Sequence, residues 1–98
     1  MAEVDDTFKR IQSAKGVVGC FVLNSDGIVI KTTMDGPTTT HYATLIHGFF
    51  MKSKNVVRDL DAQNELQLLR MRTNKHEIII APDKEYILIT IQTAAGED

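Results

Sequence analysis

Residues 66–92 read LQLLRMRTNKHEIIIAPDKEYILITIQ, and this run decides the fold. It divides into three strands, Leu66–Thr73, Glu77–Ala81 and Tyr86–Gln92, joined by the turns Asn74-Lys75-His76 and Pro82-Asp83-Lys84-Glu85. The last two strands are apolar on both faces: Ile78, Ile79 and Ile80 in one, Ile87, Leu88, Ile89 and Ile91 in the other. A strand with two apolar faces needs a layer of structure above and below its sheet. The first strand differs. Arg70 and Arg72 fall on one side and Leu69 and Met71 on the other, the pattern of an edge strand, where a sheet can meet another chain.

Upstream, Val17–Leu23 and Ile28–Thr32 flank Asn24-Ser25-Asp26-Gly27, which reads as a hairpin with Gly27 supplying the positive φ that such a loop needs. Val17–Leu23 is again apolar on both faces and so belongs inside the sheet. Before it, residues 3–15 form a short amphipathic helix with Val4, Phe8 and Ile11 on one face, acidic residues first and basic residues later, as the helix dipole favours. Gly16 is its stop signal.

Met34-Asp35-Gly36-Pro37 breaks the second strand, and Thr38 to Leu60 is the longest helix, with one of Thr38–Thr40 expected as its cap. Its apolar positions are Tyr42, Leu45, Ile46, Phe49, Phe50, Val56, Val57 and Leu60, and Ser53 lies within their arc. At 100° per residue the arc spans roughly 140°, wider than the roughly 100° needed to cover one sheet. The excess implies contact with something besides the helix's own sheet. Gly48, in mid-helix, costs about 1 kcal/mol relative to Ala and reads chiefly as a tolerated cost. The tail after Gln92 is expected to fray.

The order is α-β-β-α-β-β-β: a five-stranded, mostly antiparallel sheet between two helices, an α/β/α sandwich of the α+β kind. One domain over residues 1–98 is expected. A chain of 98 residues buries roughly two-thirds of its unfolded surface, enough for a thin core. Composition is that of an ordered protein, with 43% hydrophobic and 24% charged residues. A net charge of −2 without a basic stripe argues against nucleic acid as a partner. The acidic start does not read as a targeting peptide, and no apolar run reaches the roughly 18 residues of a membrane span. A soluble cytosolic protein with no membrane partner is expected.

Nothing in the chain assembles a catalytic or metal constellation. A single cysteine, Cys20, excludes an internal disulfide and a multi-cysteine zinc site. Its mid-strand position reads as a small core residue rather than a nucleophile, which needs exposure and a base. His41 and His47 are six apart on a helix and point in different directions, and His76 lies in a turn. The phosphate-loop, dinucleotide and nucleophile-elbow patterns are absent. No cofactor is expected. The positive signals concern surfaces, and both point to assembly: the wide arc of the long helix, and the Leu66–Thr73 edge, where Arg70 and Arg72 are placed to bridge to acidic residues of another chain.

The stretch from Leu69 to Tyr86 also resembles the signature of the roadblock/LC7 light chains of cytoplasmic and axonemal dynein. So do Met1-Ala2-Glu3-Val4, Lys9-Arg10-Ile11-Gln12-Ser13, Asn24-Ser25-Asp26-Gly27-Ile28, Pro37-Thr38-Thr39-Thr40 and Val57-Arg58-Asp59-Leu60-Asp61. The resemblance runs over essentially the whole chain. It implies the roadblock/LC7 fold, a profilin-like three-layer architecture, in a dimer that joins the third strands into one continuous sheet and packs the second helices antiparallel. It further implies a non-catalytic subunit that binds the dynein intermediate chain, helps assemble the motor tail and links it to cargo, in the cytoplasm on microtubules or in a cilium or flagellum. Homodimers, or heterodimers with a paralogue, are implied. Carried onto this chain, the expected dimer interface is Leu66, Leu68, Arg70, Arg72, Phe49, Phe50, Ser53 and Val57, and the expected partner contacts are Tyr42, Ile46 and Phe50. Other members of the wider superfamily scaffold or regulate small GTPases, which supplies an alternative. The chain departs from the light-chain pattern at Ala62, where Pro is usual, at Thr73-Asn74, at Phe49-Phe50, and at Cys20 and Gly48. These departures bear on partner preference rather than on fold.

Overall fold

The inner strands do what their composition demands. The computed structural model describes the backbone of residues 2–94 and the side chains of residues 5–94. In it α1 (Ala2–Gln12) leads into β1 (Val17–Asn24) and β2 (Val29–Thr32); α2 (Gly36–Leu60) then crosses to β3 (Leu69–Arg72), β4 (His76–Asp83) and β5 (Tyr86–Thr93). The sheet order is β2-β1-β5-β4-β3 and every described pairing is antiparallel. The three doubly apolar strands therefore occupy the middle, and the two mixed strands form the edges.

Register sorts the side chains onto two faces. Phe21 pairs with Ile89 and Ile89 with Ile80, one row across the sheet. With Leu23, Ile87 and Ile91 this row packs under Ala43, Ile46 and Phe50 of α2. On the opposite face Cys20, Val22 and Leu88 pack against Phe8 of α1, with Ile11 and Tyr86 alongside. Burial of these side chains is the main stabilising term, worth roughly 1.5–3 kcal/mol for each large apolar residue.

Element ends differ from the sequence expectation because side chains of loop residues claim the terminal backbone groups. Helix α1 ends at Gln12 rather than Lys15. The Ala14 N–H bonds back to the Ile11 carbonyl, a tightened turn, and Gly16 then takes φ 87°. The Val4 side chain lies outside the described residues. In the first hairpin the Asn24 carboxamide accepts from the N–H groups of both Asp26 and Ile28, at 2.9 and 3.0 Å. This holds Ile28 in the turn and starts β2 at Val29, one residue later than expected. Gly27 has φ 87°, as that turn requires, and the His47 ring packs where a Cβ on Gly27 would stand.

The cap of α2 is Asp35, not one of the three threonines. Its carboxylate accepts from the Thr38 N–H at 2.8 Å and from the Thr38 hydroxyl at 3.0 Å, and Pro37 sits in the first turn, where its missing N–H costs nothing. Thr39 is instead buried, donating to the Asp35 carbonyl and sharing a hydrogen bond with Thr32.

Strand β3 is shorter than Leu66–Thr73. Leu66 turns inward to pack on the α2-side core, and the Thr73 hydroxyl accepts from the N–H groups of Lys75 and His76, bending the chain into the next turn. Strand β4 is correspondingly longer. It continues through Pro82 to Asp83, so the expected four-residue turn tightens to Lys84-Glu85, with Lys84 at φ 58°. At the far end Thr93 and Ala94 are held by backbone hydrogen bonds to Gly16 and Lys75 rather than frayed. The rest of the expected frayed tail, 95–98, lies outside the described residues.

The two hydrogen bonds from Thr38 hold the Asp35 carboxyl below the ordinary carboxylate range, the N–H contributing most. The folded value lies below the unfolded one, so the cap contributes fully above the ordinary range and is lost as pH falls through the lowered value. Asp35→Ala should lower the thermal midpoint at neutral pH. Asp35→Asn, which keeps an acceptor oxygen, should lose less and should remove this group's part of the acid sensitivity. Equal midpoints for all three proteins at pH 7, by circular dichroism, would show that the cap contributes nothing.

Candidate interaction surface

Helix α2 carries two apolar stripes. Thr39, Ala43, Ile46 and Phe50 are its buried positions, spaced i, i+4, i+7, i+11, and they face the sheet. Leu45, Phe49, Val56 and Leu60 fall roughly a quarter-turn away, at 100° per residue, and are open to solvent. Phe50 is 5% exposed and its neighbour Phe49 43%; Leu60 is 82% exposed. The wide arc is thus one face for this chain's core and a second face with no cover. On the other flank His47 leans over Gly27 and donates from Nε2 to the Ser25 carbonyl, 3.1 Å away, while Met51 and Lys54 border the β4–β5 turn. The bare stripe is therefore turned away from those turns.

The sheet below is unevenly covered. The buried face of α2 lies over β1, β5 and Ile80 of β4. At the β3 edge Leu69, Met71 and Ile78, on the α2 side, are only half-buried, and Leu68 is exposed. Among the described residues no strand lies beside the outer edge of β3.

Of the expected interface residues, Phe49 and Leu68 are exposed, Ser53 and Val57 are half-buried, and Arg70 and Arg72 lie exposed on the edge strand. Phe50 and Leu66 belong to the α2-side core, because their positions on the helix and link point at the sheet. Of the expected partner contacts, Ile46 and Phe50 are likewise core, and Tyr42 packs half-buried against that core. Leu45, Val56 and Leu60 belong to the exposed stripe and were not assigned to an interface. Subtracting the i, i+4, i+7, i+11 core set from the apolar arc leaves them together with Phe49 and the half-buried Tyr42 and Val57. Gly48 meets nothing within 4 Å, so no close approach within the chain accounts for it.

The arginines do not stand alone. Arg70 Nε lies 3.3 Å and Arg72 Nη2 3.7 Å from Glu77 Oε2, and the Gln92 amide donates to Glu77 Oε1 at 2.9 Å. Glu77 is 6% exposed, so these partners compensate a carboxylate withdrawn from water. Sequence reading missed Glu77 because its role depends on register: it sits opposite Arg72 across the β3–β4 turn.

Other candidates offer less. A cleft of about 500 Å³ opens between α2, the α2–β3 link and the β4–β5 turn, lined by Phe50, Met51, Lys54, Leu66, Pro82 and Tyr86 among others. Among the described residues no cluster of three or more His, Cys, Asp or Glu side chains could hold a metal. Cys20 is buried, and burial pushes its thiol up, away from the reactive thiolate. No described helix is long and apolar enough to cross a membrane.

A family model described as "Roadblock/LC7 domain" matches residues 3–93. Among solved structures, a Roadblock/LC7 domain from Streptomyces avermitilis superposes with a TM-score of 0.77 at 13% identity, covering 85% of this chain and 71% of that one. MglB of Myxococcus xanthus superposes with a TM-score of 0.72 at 18% identity, over 89% and 75% of the two chains. An MglB in a tetrameric arrangement gives 0.76 at 10% identity, over 94% and 71%. At these identities the likeness is one of fold.

The two adjacent phenylalanines separate folding from association. Phe50→Ala should cost about 3–5 kcal/mol of unfolding free energy, as removal of a buried aromatic does. Phe49→Ser should leave unfolding of the dilute protein within about 0.5 kcal/mol, as a surface change does, while weakening self-association. Urea denaturation and sedimentation of both variants check this; comparable destabilisation by both would place Phe49 in the core.

Proposed function

We propose that this chain, which belongs to the Roadblock/LC7 family, is a non-catalytic adaptor that pairs with a second copy of itself, or with a paralogue, and holds a partner protein on the paired surface. The observation that carries this reading is the bare stripe Leu45, Phe49, Val56 and Leu60 on a helix whose neighbouring stripe already covers the sheet. Exposed apolar side chains grouped on one helix face mark an interaction site. The open β3 edge supports the same reading. Edge-to-edge pairing about a two-fold axis normal to the sheet would keep both α2 helices on one side, where the stripes can meet.

The residue-by-residue resemblance to the light chains of dynein supports the intermediate chain of that motor as the partner. In that role the subunit helps assemble the motor tail and attach cargo, on microtubules in the cytoplasm or in a cilium or flagellum. The MglB structures favour a second reading, a scaffold or regulator of a small GTPase, the role that other members of the superfamily have. The two readings share the self-paired adaptor and differ in what it holds.

Affinity purification from the source cells distinguishes them: an intermediate chain should co-purify under the first reading and a small GTPase, with altered nucleotide hydrolysis, under the second. Sedimentation of the isolated chain at micromolar concentration should show a dimer. A strict monomer that captures neither class of protein would overturn the adaptor reading itself.

A further inference from the structure

We infer that the sheet face opposite α2 carries, across the seam between two copies, a binding surface for an acidic segment of a partner protein. The inference rests on the self-pairing reading above, and on the phase of β3. The Thr73 N–H donates to the His76 carbonyl at 2.8 Å, so the odd-numbered residues of β3 point their backbone groups at β4. Antiparallel ladders alternate, so the N–H and C=O groups of Arg70 and Arg72 point outward to the open edge. Two copies pairing here about a dyad must match outward residues with outward residues. Centring on Met71 or on Arg70 overlaps three strand residues, but only the Met71 register makes hydrogen-bonded pairs of both outward residues, setting Arg70 of one copy opposite Arg72 of the second.

Side chains that are opposite in register lie on one face. For the arginines this is the α1 side: Arg70 pairs with Ile79, Ile79 with Thr90, and Thr90 with Cys20, which packs under α1. Yet the described side chains of α1 that pack on this face, Phe8 and Ile11, meet β1 and β5, and the arginine side chains are 60% and 58% exposed. Among the described residues the seam thus gathers four guanidiniums against two Glu77 carboxylates, a surplus of two positive charges. Like charges directly opposite are unfavourable. Glu77 cannot offset the surplus further, since its carboxylate is sunk in the sheet and both its oxygens are already engaged. Arg70 approaches Glu77 through Nε and its side chain is 60% exposed, so a carboxylate from outside can reach the guanidinium for a bidentate contact. An acidic segment lying across the dyad fits this pattern, with Ile79 and Ala81, both half-buried, beside the arginines to meet an apolar side chain.

The test is binding of labelled hexaglutamate to the full chain at low salt, followed by fluorescence anisotropy, with sedimentation run in parallel. The dimer should bind the peptide, and binding should weaken as salt rises. Arg70→Ala/Arg72→Ala should weaken it roughly tenfold or more, the loss expected for charge-assisted hydrogen bonds. Lys9→Ala/Arg10→Ala, on α1, should not. Glu77→Gln should tighten it; if the arginine variant fails to fold or pair, this variant decides, because unchanged or weaker binding overturns the proposal. A dimer that ignores the peptide, or loses it equally in the α1 variant, also overturns it. A monomeric wild type instead removes the self-pairing on which the surface depends. Peptide binding retained by a monomeric Leu45→Glu/Phe49→Glu variant would show that the seam is not required.

Discussion

Three strands with two apolar faces cannot be left open to water on either side, and the rest of the molecule follows from that. β1, β5 and β4 bring Phe21, Ile89 and Ile80 to one face and Cys20, Val22 and Leu88 to the other. Both rows must be covered, so a helix is needed on each side, and the two helices among the described residues leave none to spare. The edges then fall to the strands that can tolerate water, β2 with Lys31 and β3 with its arginines. Layer order, edge identity and the assignment of helices to faces all descend from the same apolar repetition.

The same scarcity makes α2 serve two surfaces. Twenty-five residues present more apolar side chain than the underlying sheet can hide. Ala43, Ile46 and Phe50 lie against β1 and β5, and the stripe a quarter-turn away has nothing of this chain to meet. Phe49 and Phe50 are consecutive in sequence and fall on different sides of that division, because 100° of helix rotation separates a buried position from an open one. An association surface built this way costs the core nothing: its residues are ones that the core cannot reach.

How much of this was legible beforehand depends on the range of the interaction that decides it. Strand and helix identities rest on local repetition, and the three C-terminal strands, the hairpin and both helices were all readable from it. So was the edge character of β3, written in the alternation of Leu69, Arg70, Met71 and Arg72. Boundaries were less readable because single side chains set them. Asp35 outcompeted the threonines as the cap, the Asn24 carboxamide delayed β2, and the Thr73 hydroxyl cut β3 short. Least readable was the candidate surface. Whether Phe49 or Phe50 faces outward needs the phase of the helix on the sheet, and the pairing of Glu77 with Arg70 and Arg72 needs a register that composition does not carry.

The two edges of the sheet are not equivalent, and this bears on how far assembly can go. Both are short and carry cations, the usual means by which edges resist indiscriminate pairing. At β2 the charge is tied down within the chain. Lys31 reaches Asp5 of α1 at 2.9 Å and lies over the Phe8 ring, 5.3 Å from its centroid, so its edge is bound up with α1. At β3 the arginines oppose pairing on one face while Leu69 and Met71 invite it on the other, alongside the bare stripe of α2. β2 also exposes Ile30, but at β3 the half-buried Leu69 and Met71 supply the apolar burial that stands to offset the electrostatic cost of bringing two edges together. One usable edge per chain permits a closed pair about a two-fold axis and no further growth, whereas two usable edges would propagate a sheet from chain to chain. The charges on β3 thus act as a selector: they exclude strands that bring no apolar surface with them, and they leave on the paired face a positive strip that Glu77 does not neutralise.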